Sequence, residues 1–338
     1  MTVVAEPFTF ASDGTTLAGT VSRPDQAPPS GAVLLLSGSG PQDRDETIAG
    51  HEPFAVLAAA LAERGWLVLR WDDRGVDASG GDYLAANAEQ LGRDVLAALT
   101  ELETTYGALP MCLAGHSQGA LIAADVAAQW ADRVAGVALL AGMATPGREG
   151  LLQQHLEVCR AEGLPEVVTE SLLQFKHTAF DALSAAQADI DAGVDVASRL
   201  TELRRALLSL WLDGQDVETL DADTRAQTEA AVDDLLEWEW RYLIEVQPAV
   251  RLSQLQCPVF AVFGGRDVQV AAAANETALR RALADGPGVV SAIHVLTNYN
   301  HLFQVDNSDD ALPYEALGTP FAAPVPDLLA QWLDKTIA

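Results

Sequence analysis

Lysine is nearly absent from this chain: Lys176 and Lys335 are the only two in 338 residues. With arginine they make 20 basic residues against 48 acidic ones, a formal charge of −28. A surface of that sign repels phosphate backbones and anionic headgroups, so neither a nucleic acid nor a membrane is expected as a partner. The acidity itself reads either as adaptation to high salt or as a well-solvated acidic surface. Cysteine is scarce too. Cys112, Cys159 and Cys257 are odd in number and far apart, which excludes a disulfide framework and a zinc pattern. Cys112 lies in an apolar run and Cys257 precedes Pro258, so both read as small buried hydrophobes. No H-E-x-x-H pair occurs, and neither a metal nor another cofactor is expected. Long apolar runs are also lacking: stretches such as Val134 to Ala144 are too short to cross a bilayer. The first residues, Met1-Thr-Val-Val-Ala-Glu-Pro7, place no basic flank before an apolar core, and a cytoplasmic location is expected.

What is present is an alternation of short apolar runs with helix-like segments. Pro7 to Ser12 and Thr15 to Val21, joined by Asp13-Gly14, read as a β-hairpin. Ala32 to Leu36 is continuously apolar, as a strand covered on both faces would be. A helix over Pro53 to Arg64, a strand over Trp66 to Trp71, a helix over Ala88 to Thr105 and strands ending at Ala114 and Ala141 follow. The pattern predicts a mostly parallel central sheet with helices on both faces. It breaks between Thr145 and Leu255, where amphipathic helix signals occur without a convincing strand. It resumes with Pro258 to Phe263, a helix over Ala271 to Ala284, a strand over Val289 to Leu296 and a closing helix over Val325 to Ile337. The expected organisation is a core of residues 1–144 and 256–338 carrying a helical insertion at 145–255.

Between a strand and a helix stands Gly115-His116-Ser117-Gln118-Gly119. A serine on a sharp strand-to-helix turn needs glycines two positions away on either side, so that strand and helix can approach closely. Ser117 is therefore the candidate nucleophile. A serine hydroxyl needs a base within hydrogen-bond reach and an anion to orient that base. Two late loops, each at the carboxyl end of an expected strand, supply them: Gly264-Gly-Arg-Asp267 and Asn298-Tyr-Asn-His301. Asp267 and His301 complete the order Ser, Asp, His. The backbone amide of Gln118, and that of Ser39 in the loop Ser37-Gly-Ser-Gly-Pro41, are the expected oxyanion donors. Gly38, His116 and Trp240 are candidates to line a substrate pocket. The run Glu237-Trp-Glu-Trp-Arg-Tyr242 puts Trp238 and Tyr242 on one helical face and Trp240 with Ile244 on another.

These residues resemble the α/β-hydrolase family over nearly the whole chain. Four segments narrow the resemblance: Ser37-Gly-Ser-Gly-Pro-Gln-Asp-Arg-Asp45; Asp73-Arg-Gly75 with Ser79-Gly80; Gly264-Gly-Arg-Asp-Val-Gln-Val270; and Asn300-His-Leu-Phe-Gln304. Together they look like a bacterial serine esterase branch related to serine aminopeptidases and acyl-CoA thioesterases. The resemblance implies an α/β-hydrolase fold, hydrolysis of a small-molecule carboxylic ester through an acyl-enzyme, and a cap in the place of the helical insertion. Amide, peptide or thioester cleavage on the same triad is the alternative. A non-catalytic ligand receptor on this fold would be expected to have lost a triad member, and none is missing. Many relatives carry histidine where this chain has Ser37 and glycine where it has Asp77. Asp43, Arg44 and Asp45 either shape the pocket or form a loop ion pair. Arg74 resembles a family arginine that braces loops.

Overall fold

The computed structural model describes residues 2–212, 214–308, 313–321 and 323–337. It divides into two compact units, Met1–Thr145 with Gln247–Ala338, and Pro146–Val246.

The first unit is built on an eight-stranded sheet. The chain enters through β1 (Val3–Ser12) and β2 (Thr15–Pro24), then runs through β3 (Ala32–Leu36), α1 (Pro53–Ala62), β4 (Leu67–Trp71), α2 (Ala88–Tyr106), β5 (Met111–His116), α3 (Gln118–Gln129) and β6 (Gly136–Leu140). In the second unit it forms α4 (Gly147–Ala161), α5 (Glu166–Asp191), α6 (Val196–Trp211), α7 (Ala222–Leu235) and α8 (Trp238–Glu245). Back in the first come α9 (Pro248–Leu252), β7 (Val259–Gly264), α10 (Ala272–Ala284), β8 (Ser291–Leu296) and α11 (Val325–Thr336). Strand order is β1-β2-β4-β3-β5-β6-β7-β8, with β1 and β2 antiparallel to their neighbours and the rest parallel.

Local chemistry explains these elements. Asp13 and Gly14 both have positive φ, 49° and 77°, so the hairpin turns through a type I′ geometry that matches strand twist. Pro53 starts α1 without losing a needed N–H. Asn87 caps α2 by accepting the Gln90 N–H at 2.9 Å. Along β3, Leu34 and Leu36 face one hydrophobic layer with residues of α2, α3 and α10, while Val33 and Leu35 face another with α1 and α11. Covered on both faces, the central strands are continuously apolar, and each fully buried leucine contributes about 1.5–3 kcal/mol of burial.

One expected boundary differs. Helix α9 groups with the sheet unit, its Leu252 buried among core side chains, so the helical segment closes at Val246 and not at Leu255. Amphipathic periodicity identifies a helix but not the surface on which it docks.

Candidate active site

The sharpest backbone feature is at the end of β5. Ser117 has φ 52° and ψ −117°, a conformation that L-residues adopt only under strain. Its neighbours have no room for a side chain: a Cβ on Gly115 would lie 2.1 Å from the Gly119 carbonyl oxygen, and one on Gly119 would lie 2.2 Å from that of Leu36. Ser117 donates its N–H to the Leu140 carbonyl at 2.9 Å, which ties the turn to β6. Helix α3 starts immediately after it, so the Gln118 amide is a helix-end donor beside the serine, with no acceptor among the described residues.

Asp267 and His301 follow β7 and β8. Gly264 and Gly265 are needed there because their Cβ positions lie 2.4 Å from the Tyr299 carbonyl oxygen and 2.6 Å from that of Thr297. His301 Nδ1 is 2.7 Å from Asp267 Oδ2, and both side chains are buried. The other oxygen, Oδ1, accepts the N–H groups of Gln269 and Val270 at 2.7 and 2.8 Å. With its acceptors engaged, the carboxylate is fixed in place and requires a proton on His301 Nδ1, leaving Nε2 as the basic nitrogen. The loop that presents His301 is closed on itself: Asn300 Nδ2 donates to Gln304 Oε1, and Gln304 N donates to Asn300 Oδ1, both at 2.9 Å. Beside Asp267 lies Tyr314, whose hydroxyl is pushed up to about 12 by burial and by the Asp267 charge.

In the loop after β3, Ser37 Oγ donates to Asp73 Oδ2 at 3.2 Å. The Gly38 amide is occupied, donating to Glu46 Oε1 at 2.6 Å. Ser39 is exposed, and its amide has no acceptor among the described residues. A small crevice beside Gln118 is lined by Ser37, Gly38 and the buried side chains of Trp71, Tyr83 and Ile122. Gly38 is one of the residues that line it.

His116 is not. It is 1% exposed, with Nδ1 2.9 Å from Glu46 Oε1 and Nε2 3.0 Å from the His301 carbonyl oxygen, so it presents nothing to a substrate. Glu46, buried completely, carries no sign of its burial in the sequence, where it is one more acidic residue after Asp43 and Asp45. Trp240 lies in the helical unit, where its indole N–H donates to Asp234 at 3.1 Å and Lys176 sits 4.6 Å over its ring. Trp238 and Tyr242 share a face there, ring centroids 6.3 Å apart.

The charged run after the β3 loop forms ion pairs. Arg44 Nε contacts Asp72 Oδ1 at 2.8 Å, and Arg70 Nε contacts Asp45 Oδ1 at 2.5 Å. Arg74 braces α2 through buried Asp94 at 2.7 Å and also reaches Ser12 Oγ at 3.3 Å. Asp77 has φ 42°, the left-handed region that favours glycine.

A serine on a strained strand-to-helix turn, a parallel sheet and an Asp–His pair beyond the later strands define the α/β-hydrolase fold class. The sequence model of the serine aminopeptidase S33 family matches residues 49–301, and the chain belongs to that family. Esterase EstD of Thermotoga maritima is 30% identical over 156 residues, 46% of this chain and 37% of EstD, so the match spans little more than a third of that relative. The fold is similar to that of the Pyrococcus furiosus esterase Pf2001, with TM-score 0.57 at 15% identity, covering 99% of this chain and 92% of the other. Est1E of Butyrivibrio proteoclasticus, solved with ferulic acid, gives 0.53 at 13%, covering 97% and 96%. An esterase domain from Rhodothermus marinus gives 0.53 at 17%, covering both chains in full. No helix among the described residues is long and apolar enough to cross a membrane.

Proposed function

We propose that this protein is a serine hydrolase that cleaves small-molecule carboxylic esters through an acyl-enzyme. The observation that carries the reading is the 2.7 Å Asp267–His301 pair, with His301 Nε2 left basic, in the same unit as a serine held at φ 52°. His301 takes the proton of Ser117 as the hydroxyl attacks the ester carbonyl. Asp267 holds the imidazole tautomer and stabilises the imidazolium. The amides of Gln118 and Ser39 receive the developing oxyanion, the first with the help of the α3 dipole. His301 then gives its proton to the departing alkoxide, and water, deprotonated by the same nitrogen, releases the acid. Residues 146–246 occupy the chain position of a cap. Labelling by a fluorophosphonate followed by peptide mapping tests the assignment: the adduct is expected on Ser117, and an adduct on another serine refutes it.

The serine aminopeptidase family description favours a second reading, amide or peptide cleavage on the same three residues. A panel of p-nitrophenyl esters, aminoacyl anilides and CoA thioesters separates ester, amide and thioester preference.

A further inference from the structure

Glu46 and His116 take no part in the mechanism above, yet they are among the most buried polar side chains of the sheet unit, 0% and 2% exposed. Glu46 Oε1 accepts the Gly38 N–H at 2.6 Å and lies 2.9 Å from His116 Nδ1. The opposite ring nitrogen of His116 is 3.0 Å from the His301 carbonyl oxygen. Four groups from three segments of the chain are thereby strung together: the Gly38 amide and the Glu46 carboxylate after β3, the His116 ring at the end of β5 beside Ser117, and the His301 carbonyl.

The protons on this chain can be counted. A carbonyl oxygen only accepts, so His116 Nε2 carries a hydrogen. A bare Nδ1 would direct its lone pair at a carboxylate oxygen 2.9 Å away, two acceptors facing each other. A proton must therefore lie between Nδ1 and Oε1, on either atom. The pair then holds a single ionising proton and is neutral as a whole, the condition under which a carboxylate and an imidazole tolerate the interior. The groups facing His116 are Glu46 and the ring of His301 at 4.8 Å, with Asp267 beyond it; Phe321, 5.7 Å away edge-on, closes the remaining side. Among the described residues Glu46 Oε2 has no partner, so both hydrogen bonds converge on a single oxygen.

We propose that Glu46 and His116 are a positioning pair which, through one shared proton, holds the oxyanion loop, the nucleophile turn and the base loop in mutual register. The proposal rests on the triad reading. Without the shared proton Nδ1 and Oε1 repel, Gly38 follows Glu46, and the neighbouring Ser39 amide leaves the oxyanion position. Room for relaxation is small, because a Cβ on Gly38 would already lie 3.1 Å from Glu46 Oε1 and 3.3 Å from Ser117 Cβ.

The test uses hydrolysis of p-nitrophenyl acetate by Glu46→Gln, His116→Phe and the double variant, with circular dichroism confirming folding at the assay temperature. In the double variant an amide oxygen still accepts from Gly38 and no buried charge is left unpaired, so it stays informative if a single variant unfolds. Displacement of a reacting group by about 1 Å costs up to ~100-fold, so each variant should lose roughly 10- to 100-fold in kcat with KM within about twofold. The double variant should lose no more than the worse single one, since both substitutions break one unit. Proton NMR of the wild type should show two downfield imidazole N–H resonances, and Glu46→Gln should remove one while that of His301 persists. A Glu46→Gln enzyme with unchanged kcat, multiplying losses in the double variant, or two persisting resonances would overturn the proposal. Ser117→Ala separates the two claims: inactive Ser117→Ala beside fully active Glu46→Gln sinks the positioning pair alone, whereas active Ser117→Ala sinks the triad and the pair's role with it.

Discussion

Asp267 and His301, 34 positions apart in the chain, meet at 2.7 Å because β7 and β8 are adjacent and parallel and end at the same edge of the sheet. The second oxygen of Asp267 is held by two backbone amides, so the carboxylate has one orientation in which to hold the imidazole. Asp267→Asn keeps the shape and can turn an amide N–H toward Nδ1, favouring the tautomer whose proton sits on Nε2. The expected loss is roughly 10³- to 10⁴-fold in kcat on an activated ester, with little change in KM. A loss below about tenfold, measured by steady-state kinetics, would place the orienting acid elsewhere.

Ser117 carries function and strain at one position. Ser117→Ala removes the nucleophile but keeps a Cβ at φ 52°, so turnover should vanish with the melting temperature nearly unchanged. Ser117→Gly also abolishes turnover but relieves a strain of about 1–3 kcal/mol, partly offset by the entropy of glycine. Calorimetry should therefore find Ser117→Gly more stable than Ser117→Ala, by about 2–4 °C for each kcal/mol retained. Equal melting temperatures would mean that the turn stores no more strain than the entropy of glycine offsets.

The buried Arg74–Asp94 pair gives a prediction about stability alone. Both side chains are at most 4% exposed, and burial raises the Asp94 carboxyl despite the guanidinium beside it. Asp94→Ala strands a charge in the interior and should cost about 3–5 kcal/mol in urea unfolding. Replacing both by leucine and methionine should recover much of that loss, and failure to do so would assign the pair a role beyond charge compensation.

His116 makes stability depend on pH. Burial alone would lower its pKa; the charge of Glu46, the hydrogen bond to it and the His301 carbonyl outweigh burial and raise it above the ordinary histidine value, with Asp267 adding to the effect. A raised folded pKa means the native state binds the proton more tightly than the unfolded chain. Its contribution is thus fully present below the unfolded value of ~6.5 and is lost as pH rises through the folded one. Urea unfolding at several pH values should show the gap between the wild type and the Glu46→Gln, His116→Phe double variant narrowing on the alkaline side, and a constant gap would contradict the assignment.

The three cysteines are free and buried. Burial pushes the Cys257 thiol up to about 11 and raises that of Cys112 as well. At about pH 8 the native protein should be inert to an aromatic disulfide reagent and titrate three thiols once unfolded, because the thiolate is the reacting form. Rapid native labelling of Cys112 or Cys257 would contradict their burial.

The elements on which the site stands were legible as local patterns. Continuous apolar runs marked the buried strands, Asp13-Gly14 marked the hairpin, and Gly115 and Gly119 marked a turn with no room for side chains, since each of these is a constraint acting between near neighbours in the chain. The candidate positions of Asp267 and His301 could be read because parallel strands send their following loops to one edge of the sheet. The end of the helical segment could not: Pro248 opens a helix whose periodicity is the same whether it packs on other helices or on the sheet. Glu46 was hidden for a related reason, and His116 was misplaced on a pocket wall. Whether a carboxylate is solvated or buried against an imidazole depends on which loops the fold brings to it, and Gly38, Glu46, His116 and His301 meet only through the crossovers of the sheet. The sequence by itself determined the sheet, the turn and the residue types able to do acyl chemistry; tertiary structure alone decided which buried groups share a proton behind them, because desolvation and hydrogen-bond partners are properties of the folded chain.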